Sequence, residues 1–178
     1  ILLEPSKRNT APCVAYAAYK IQQKNPEATL VITPSDAAIF NEENYLEVIE
    51  QAVQGARAED RLLTIGIQPH KPETGYGYIQ YIENDTPIKN VKTFTEKPTQ
   101  ELAEKFIESG DFVWNAGIFV WKLSAILTAF QKHQPELAEL FLSGASAYYT
   151  EKETEFIENA YALTKGISID YAIMEKAD

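Results

Sequence analysis

Five short stretches in this chain have residue types suited to chemistry. Asp36 follows Pro34-Ser35, just past the apolar run Thr29-Leu-Val-Ile-Thr33. A carboxylate at the carboxyl end of a strand lies where open α/β sheets bind ligands, and it can hold Mg²⁺ against phosphate oxygens there. The alternative is that Ser35 or Asp36 caps the following helix. Glu96-Lys97-Pro98 ends another strand-like run. Lys97 can meet a phosphate and Glu96 can accept hydrogen bonds from hydroxyls, unless the pair is only a solvated strand end. Gly75-Tyr76-Gly77 opens a strand. It is either a turn or a place where the backbone approaches a sugar ring closely. Asn115 interrupts the apolar run from Phe112 to Trp121. A buried amide needs partners, supplied by backbone or by a polar ligand. Asp170, in Ser168-Ile-Asp-Tyr171, is open in the same way.

Other chemistries are excluded. His70 and His133 lie in polar surroundings without metal-ligand spacing and read as surface residues. There is no Ser-His-Asp signature, no Walker A loop and no zinc spacing. The 178 residues carry 26 acidic and 16 basic side chains, a net charge of −10. That argues against nucleic acid and anionic membranes as partners. A polyanionic ligand would need a divalent cation or a few placed Lys and Arg. A single cysteine, Cys13, allows no internal disulfide and suggests a reducing, cytoplasmic compartment. Next to Pro12 on an apolar helix, it reads as a small buried residue. No apolar stretch approaches the ~20 residues needed to span a bilayer.

Elements that would position these groups follow from the hydrophobic pattern. The chain opens with an apolar, strand-like Ile1-Leu2-Leu3, a polar turn, and a helix begun by Thr10-Ala-Pro12 with Thr10 as its cap. A strand-to-turn-to-helix junction is a ligand-binding place in such folds. Thr29–Thr33 and Leu62–Ile67 read as uniformly apolar, buried strands around an amphipathic helix marked by Leu46, Ile49, Val53 and Ala56. This alternation predicts a parallel sheet with crossover helices. Residues 76–82 and 88–96 read as two strands joined across Asn84-Asp85, either a hairpin or a mixed-sheet extension. A helix over 99–109 is capped by Thr99 and stopped by Gly110. Residues 112–121 form a long strand, and helices follow over 124–133, 136–142 and 151–163. A last helix is capped by Ser168.

The order of the motifs carries a resemblance. Glu4-Pro5-x-x-Arg8-Asn9-Thr10-Ala11-Pro12, Pro34-Ser35-Asp36, Thr64-Ile-Gly-Ile-x-Pro69, Pro72-Glu-Thr-Gly-Tyr-Gly-Tyr-Ile79, Phe94-x-Glu96-Lys97-Pro98, Trp114-Asn115-x-Gly117-Ile-Phe119 and Ser168-Ile-Asp-Tyr-x-Ile-Met-Glu-Lys176 together resemble the mannose-1-phosphate guanylyltransferase branch of the sugar nucleotidyltransferases. The resemblance implies a Rossmann-like α/β nucleotidyltransferase domain with a mixed, mostly parallel sheet flanked by helices. It implies GMP transfer from GTP to mannose 1-phosphate, giving GDP-mannose and pyrophosphate. Glu4, Arg8, Asn9, Thr10 and Ala11 would line the guanosine pocket. Asp36 would hold Mg²⁺ or another divalent cation. Gly77, Glu96, Asn115 and Asp170 would serve the sugar, and Lys97 its phosphate. Position 37 is Ala where the family usually has His.

On this expectation the chain is one partial domain, truncated at both ends, with a nucleotide half over 1–70 and a sugar-phosphate half over 71–178. The family's glycine-rich, Arg-containing loop and a later metal-binding Asp segment are not among these residues. The polypeptide alone is therefore expected to be inactive or nearly so, and to associate with itself or a partner. Two other readings are a non-catalytic sugar-nucleotide-binding module and a sister enzyme for another base or sugar.

Overall fold

The computed structural model describes residues 1–177; Asp178 lies outside the described residues. The chain forms two compact units that interleave along the sequence. One is built from residues 1–28 and 122–178, the other from Thr29–Trp121.

The first unit is helical. α1 (Thr10–Gln22) packs with α4 (Leu123–His133) and α5 (Pro135–Leu142), and α6 (Glu153–Leu163) and a π-turn (Asp170–Met174) complete it. Its core includes Ala15, Tyr19, Leu123, Ile126, Phe130, Phe141, Tyr161 and Ile173, all fully or almost fully buried. Alanines at 11, 15 and 18 let neighbouring side chains approach α1 closely, and the phenol rings of Tyr16 and Tyr19 fill the space between. The helix cap is Asn9 rather than the expected Thr10. Asn9 has φ 66° and ψ −170°, a backbone conformation strained for a residue with a side chain, and its Oδ1 accepts from the Thr10 N–H at 2.9 Å. Ile1–Leu3 forms no strand, because no neighbour pairs with it. The expected last helix is a single π-turn closed by Glu175 N–H donating to the Asp170 carbonyl. Ser168 does cap it, accepting from Tyr171 N–H at 3.3 Å.

The second unit is a five-stranded sheet with helices: β1 (Thr29–Ile32), β2 (Leu62–Ile67), β3 (Gly77–Ile82), β4 (Asn90–Glu96) and β5 (Phe112–Lys122), with α2 (Glu42–Ala58) and α3 (Gln100–Ser109). The 11-residue β5 is the hub and pairs with β1, β2 and β3. The mixed α/β class is as expected, but the pairings of β2 with β5, β3 with β4, and β3 with β5 are antiparallel. A seven-residue loop, 83–89, joins β3 and β4 as a hairpin. The antiparallel β2–β5 pairing, by contrast, joins strands far apart in sequence, so alternation of elements does not reveal its direction. β1 and β2 are also less buried than uniformly apolar runs suggest. Val31 is 44% exposed and Ile67 49% exposed.

Two apolar clusters hold this unit. Tyr78, Ala103, Phe112 and Trp114 gather with Phe106 and Ile107 under α3. Ala52, Ala56 and Val120 gather with Ile49, Val53, Leu63 and Ile65 under α2. α3 has the expected caps: Thr99 Oγ1 accepts from Leu102 N–H, and Gly110 takes the left-handed turn at φ 77°.

Candidate active site

In the sheet unit, strand register assembles three of the expected residues. Gly77 pairs with Glu96 across β3–β4. A Cβ on Gly77 would lie 2.5 Å from Glu96 Oε2 and 3.3 Å from the Asn115 Cβ. Gly77, Glu96 and Asn115 therefore converge, and only a residue without a side chain fits between them. The Glu96 side chain is 8% exposed, while Lys97, whose Nζ lies 3.2 Å from Glu96 Oε1, is largely exposed. Lys97 has φ 47°, and its N–H donates to the Tyr76 carbonyl at 3.2 Å. That left-handed turn brings the ammonium back toward the carboxylate it follows. A shielded acceptor beside an exposed cation suits a ligand carrying hydroxyls and a phosphate.

Asn115 sits at an irregularity. The β2–β5 register runs Thr64↔Phe119, then Gly66↔Asn115, so three residues of β5 face Ile65 alone. Gly117 makes this bulge possible with φ 68°. A Cβ on Gly117 would come 3.8 Å from Pro34 Cγ, which puts the Pro34-Ser35-Asp36 segment beside the bulge. Asp36 itself is exposed in the turn after β1. It is not a helix cap: the cap of α2 is Asn41, whose side chain accepts from Asn44 N–H at 3.2 Å. His70 is exposed, as its surroundings suggest, yet its ring packs edge-on to Trp114 at 4.9 Å; Tyr76 does the same at 5.2 Å.

In the helical unit, the segment from Glu4 to Ala11 is tied to residues 161–169. Tyr161 OH donates to Glu4 Oε1 at 2.9 Å, and Arg8 Nε donates to the Tyr161 carbonyl at 3.1 Å. Ile167 N–H donates to the Arg8 carbonyl and Ala11 N–H to the Ile167 carbonyl, at 3.2 and 3.1 Å. Thr10 Oγ1 accepts from Ile169 N–H at 2.8 Å, which is why Asn9 and not Thr10 caps α1. The Arg-Asn-Thr-Ala and Ser-Ile-Asp-Tyr segments, distant in sequence, thus build one turn. Ala11 is buried, whereas Glu4, Asn9 and Thr10 are exposed. Asp170 belongs to this unit, at the start of the π-turn.

Tyr161 and Thr64 were not singled out by sequence. Tyr161 reads as one more apolar position on an amphipathic helix, and only its hydroxyl hints at more. Burial, and then the hydrogen bond and charge of Glu4, push its phenol pKa up, so it stays a donor. Cys13 departs from expectation: it is exposed. On α1 it falls between the buried pairs at 11–12 and 14–15, on the outward side of the helix. Partial desolvation, then the charge and hydrogen bond of Glu4, push its thiol up to about 11. Since the thiolate is the nucleophile, alkylation by iodoacetamide at pH 8 is expected to be about a hundredfold slower than for a free cysteine of pKa ~8.5. A rate equal to that of free cysteine would contradict this.

Among the described residues, no three His, Cys, Asp or Glu side chains are grouped so as to hold a metal ion. Asp36 offers a single hard oxygen donor. This fits Mg²⁺, which keeps several waters and binds through one or two carboxylates plus substrate phosphates. Among the described residues, no helix is long and apolar enough to cross a membrane.

The chain is similar to known proteins. A putative mannose-1-phosphate guanylyltransferase of Vibrio cholerae is 37% identical over 98% of this chain, covering 38% of that protein. The mannose-1-phosphate guanylyltransferase of Escherichia coli K12 is 34% identical over 99% of the chain, again 38% of its own length. The chain thus spans just over a third of the length of these relatives. A crystal structure from Thermus thermophilus, described as a mannose-1-phosphate geranyltransferase, matches 99% of this chain and 50% of that one, with TM-score 0.86 and 32% identity. The Nucleotidyl transferase family profile matches residues 1–161. With the motif order, the α/β fold and that match in agreement, the chain belongs to the nucleotidyl transferase family.

Proposed function

We propose that this protein belongs to an enzyme that transfers GMP from GTP to mannose 1-phosphate, releasing pyrophosphate. The observation that carries this reading is the convergence of Gly77, Glu96 and Asn115, with Lys97 beside them. The guanylyltransferase relatives support the choice of base and sugar.

In this reading, the Glu96 carboxylate accepts from sugar hydroxyls and Asn115 offers its amide. The Gly77 backbone lets the ring approach, and Lys97 meets the phosphate. Glu4, Arg8, Asn9, Thr10 and Ala11 supply the guanosine-binding turn, and Asp170 supports the sugar. The phosphate monoester is largely dianionic at neutral pH, its second pKa being about 6, so it needs no protein base. One of its oxygens forms a bond to the α-phosphorus of GTP. The bond from that phosphorus to the bridging oxygen breaks, and the electron pair leaves with pyrophosphate. The residues contribute alignment and charge neutralisation. Mg²⁺, held by Asp36, would add charge neutralisation on the phosphates.

The test is chromatographic detection of GDP-mannose from GTP, mannose 1-phosphate and Mg²⁺ with the full-length protein. Lys97→Ala is expected to lower kcat/KM by about 10- to 100-fold, the value of a charge-assisted contact of ~1.5–3 kcal/mol. Clear preference for another nucleotide or sugar phosphate would defeat the assignment. The 178-residue polypeptide alone, spanning about a third of its relatives, is expected to give little product.

A further inference from the structure

Asn115 has a partner that fixes how it is used. Its Oδ1 lies 3.1 Å from the Gly117 N–H and 3.0 Å from Thr64 Oγ1. A backbone N–H can only donate, so the atom facing it is the amide oxygen and not the nitrogen. Thr64 Oγ1, with its one proton, is the second donor within reach of that oxygen. Anything Asn115 offers a ligand is then offered through its N–H groups.

Thr64 stands at the place where the β2–β5 register breaks. Its hydroxyl is also 3.2 Å from the Ile118 carbonyl. One hydroxyl thus spans the bulge, with an acceptor on each side of Gly117. Bulges re-aim side chains, and an unrestrained amide can turn end for end. We propose that Thr64 is a positioning residue for sugar recognition: its hydroxyl pins the β5 bulge and holds the Asn115 amide oxygen inward, so that the site presents donors to the sugar phosphate's hydroxyl oxygens. This rests on the sugar-phosphate reading above. It goes beyond that reading by assigning selectivity to a residue on β2 that the reading gives no role.

The test compares Thr64→Val, which keeps the shape and removes the hydroxyl, with Thr64→Ser, which keeps the hydroxyl. In the full-length protein, Thr64→Val is expected to raise the KM for mannose 1-phosphate about tenfold and leave the KM for GTP within about twofold, as one lost hydrogen bond of ~1–1.5 kcal/mol implies. Thr64→Ser is expected to restore the KM for the sugar phosphate. In a sample labelled with ¹⁵N-Asn, the Asn115 side-chain amide pair, assigned by its loss in Asn115→Ala, is expected to shift in Thr64→Val and not in Thr64→Ser. An unchanged KM for mannose 1-phosphate in Thr64→Val, or equal rises in both KM values, overturns the proposal, even where melting temperature falls. If the wild type does not use these substrates, the functional reading fails, and the spectra still decide whether Thr64 orients Asn115. An unmoved amide pair in Thr64→Val would reject it.

Discussion

Replacing Gly77 by alanine is expected to abolish most sugar-phosphate binding while sparing the nucleotide. The new Cβ would stand 2.5 Å from Glu96 Oε2, an approach that real side chains do not make. Glu96 cannot simply step aside, because its side chain is almost enclosed and its backbone is paired to residue 77 itself. Either the carboxylate swings out or β3 and β4 separate locally. Overpacking of this kind costs about 1–3 kcal/mol in stability, and a displaced charged acceptor loses ~1.5–3 kcal/mol of binding. Titration calorimetry on the full-length protein should show mannose 1-phosphate affinity falling about 10- to 100-fold and GTP affinity nearly unchanged. Gly75→Ala is the control. Its Cβ would meet only Glu73 Oε1, at an ordinary 3.4 Å, the end of a flexible, half-buried side chain. Equal effects of the two substitutions would refute the steric account.

The largest stability effect is expected at Glu153, far from any proposed ligand contact. Its carboxylate, 13% exposed, accepts from Lys20 Nζ and from Tyr16 OH on α1, and from Tyr149 N–H at 2.7 Å. Tyr149 holds φ 63° to make that contact, and Lys20 and Lys24 lie over its ring at 4.6 and 3.9 Å. Glu153→Ala leaves a shielded ammonium and a shielded phenol without their acceptor. Removing one partner from such a pair costs about 3–5 kcal/mol. At ~2–4 °C per kcal/mol for a chain of this size, melting should fall by roughly 6–20 °C. Burial alone would raise the Glu153 pKa, but the hydrogen bonds from Lys20, Tyr16 and Tyr149 outweigh it and hold the carboxyl below its ordinary value. The sign follows: the stabilisation is fully present above the unfolded-state pKa of about 4.3 and is lost as pH falls through the lower folded-state value. Thermal melts from pH 7 to pH 3 should therefore converge for wild type and Glu153→Ala. Parallel curves over that range would contradict the linkage.

What was legible in the sequence was local or contrasted sharply with its surroundings. Thr99 and Gly110 announce the ends of α3 because caps need particular residues within one turn. Asn115 stood out as a lone amide in an apolar run, and Gly77 with Glu96 as glycine and carboxylate at facing strand ends. What was not legible depends on distant pairing. Strand alternation suggests parallel neighbours, but β5 reaches back to pair with β2 antiparallel across some fifty residues. Thr64 looks like any polar position in a strand, since its importance lies in a bulge on another strand. Asn9 and Thr10 are both good caps; the choice falls to Asn9 because the Thr10 hydroxyl is engaged by Ile169. Cys13 belongs to an apolar helix whose outward face the composition alone does not mark.

The interleaving of the two units has a consequence for synthesis on the ribosome. Residues 29–121 form a compact unit whose every strand has emerged before the helical unit can close. The turn from Glu4 to Ala11 is made before that unit and organised after it: Arg8 waits for Tyr161, 153 residues later. At about 5–20 residues per second that delay is roughly 8–30 s. During it, the guanosine-binding segment proposed above lacks its Tyr161 and Ile167 partners, and the strands around the proposed sugar site are already available to pair. A nascent chain whose residues up to about 125 have emerged could fold the sheet unit while α1 still lacks α4 and α5, which makes α1 the natural target for holding chaperones.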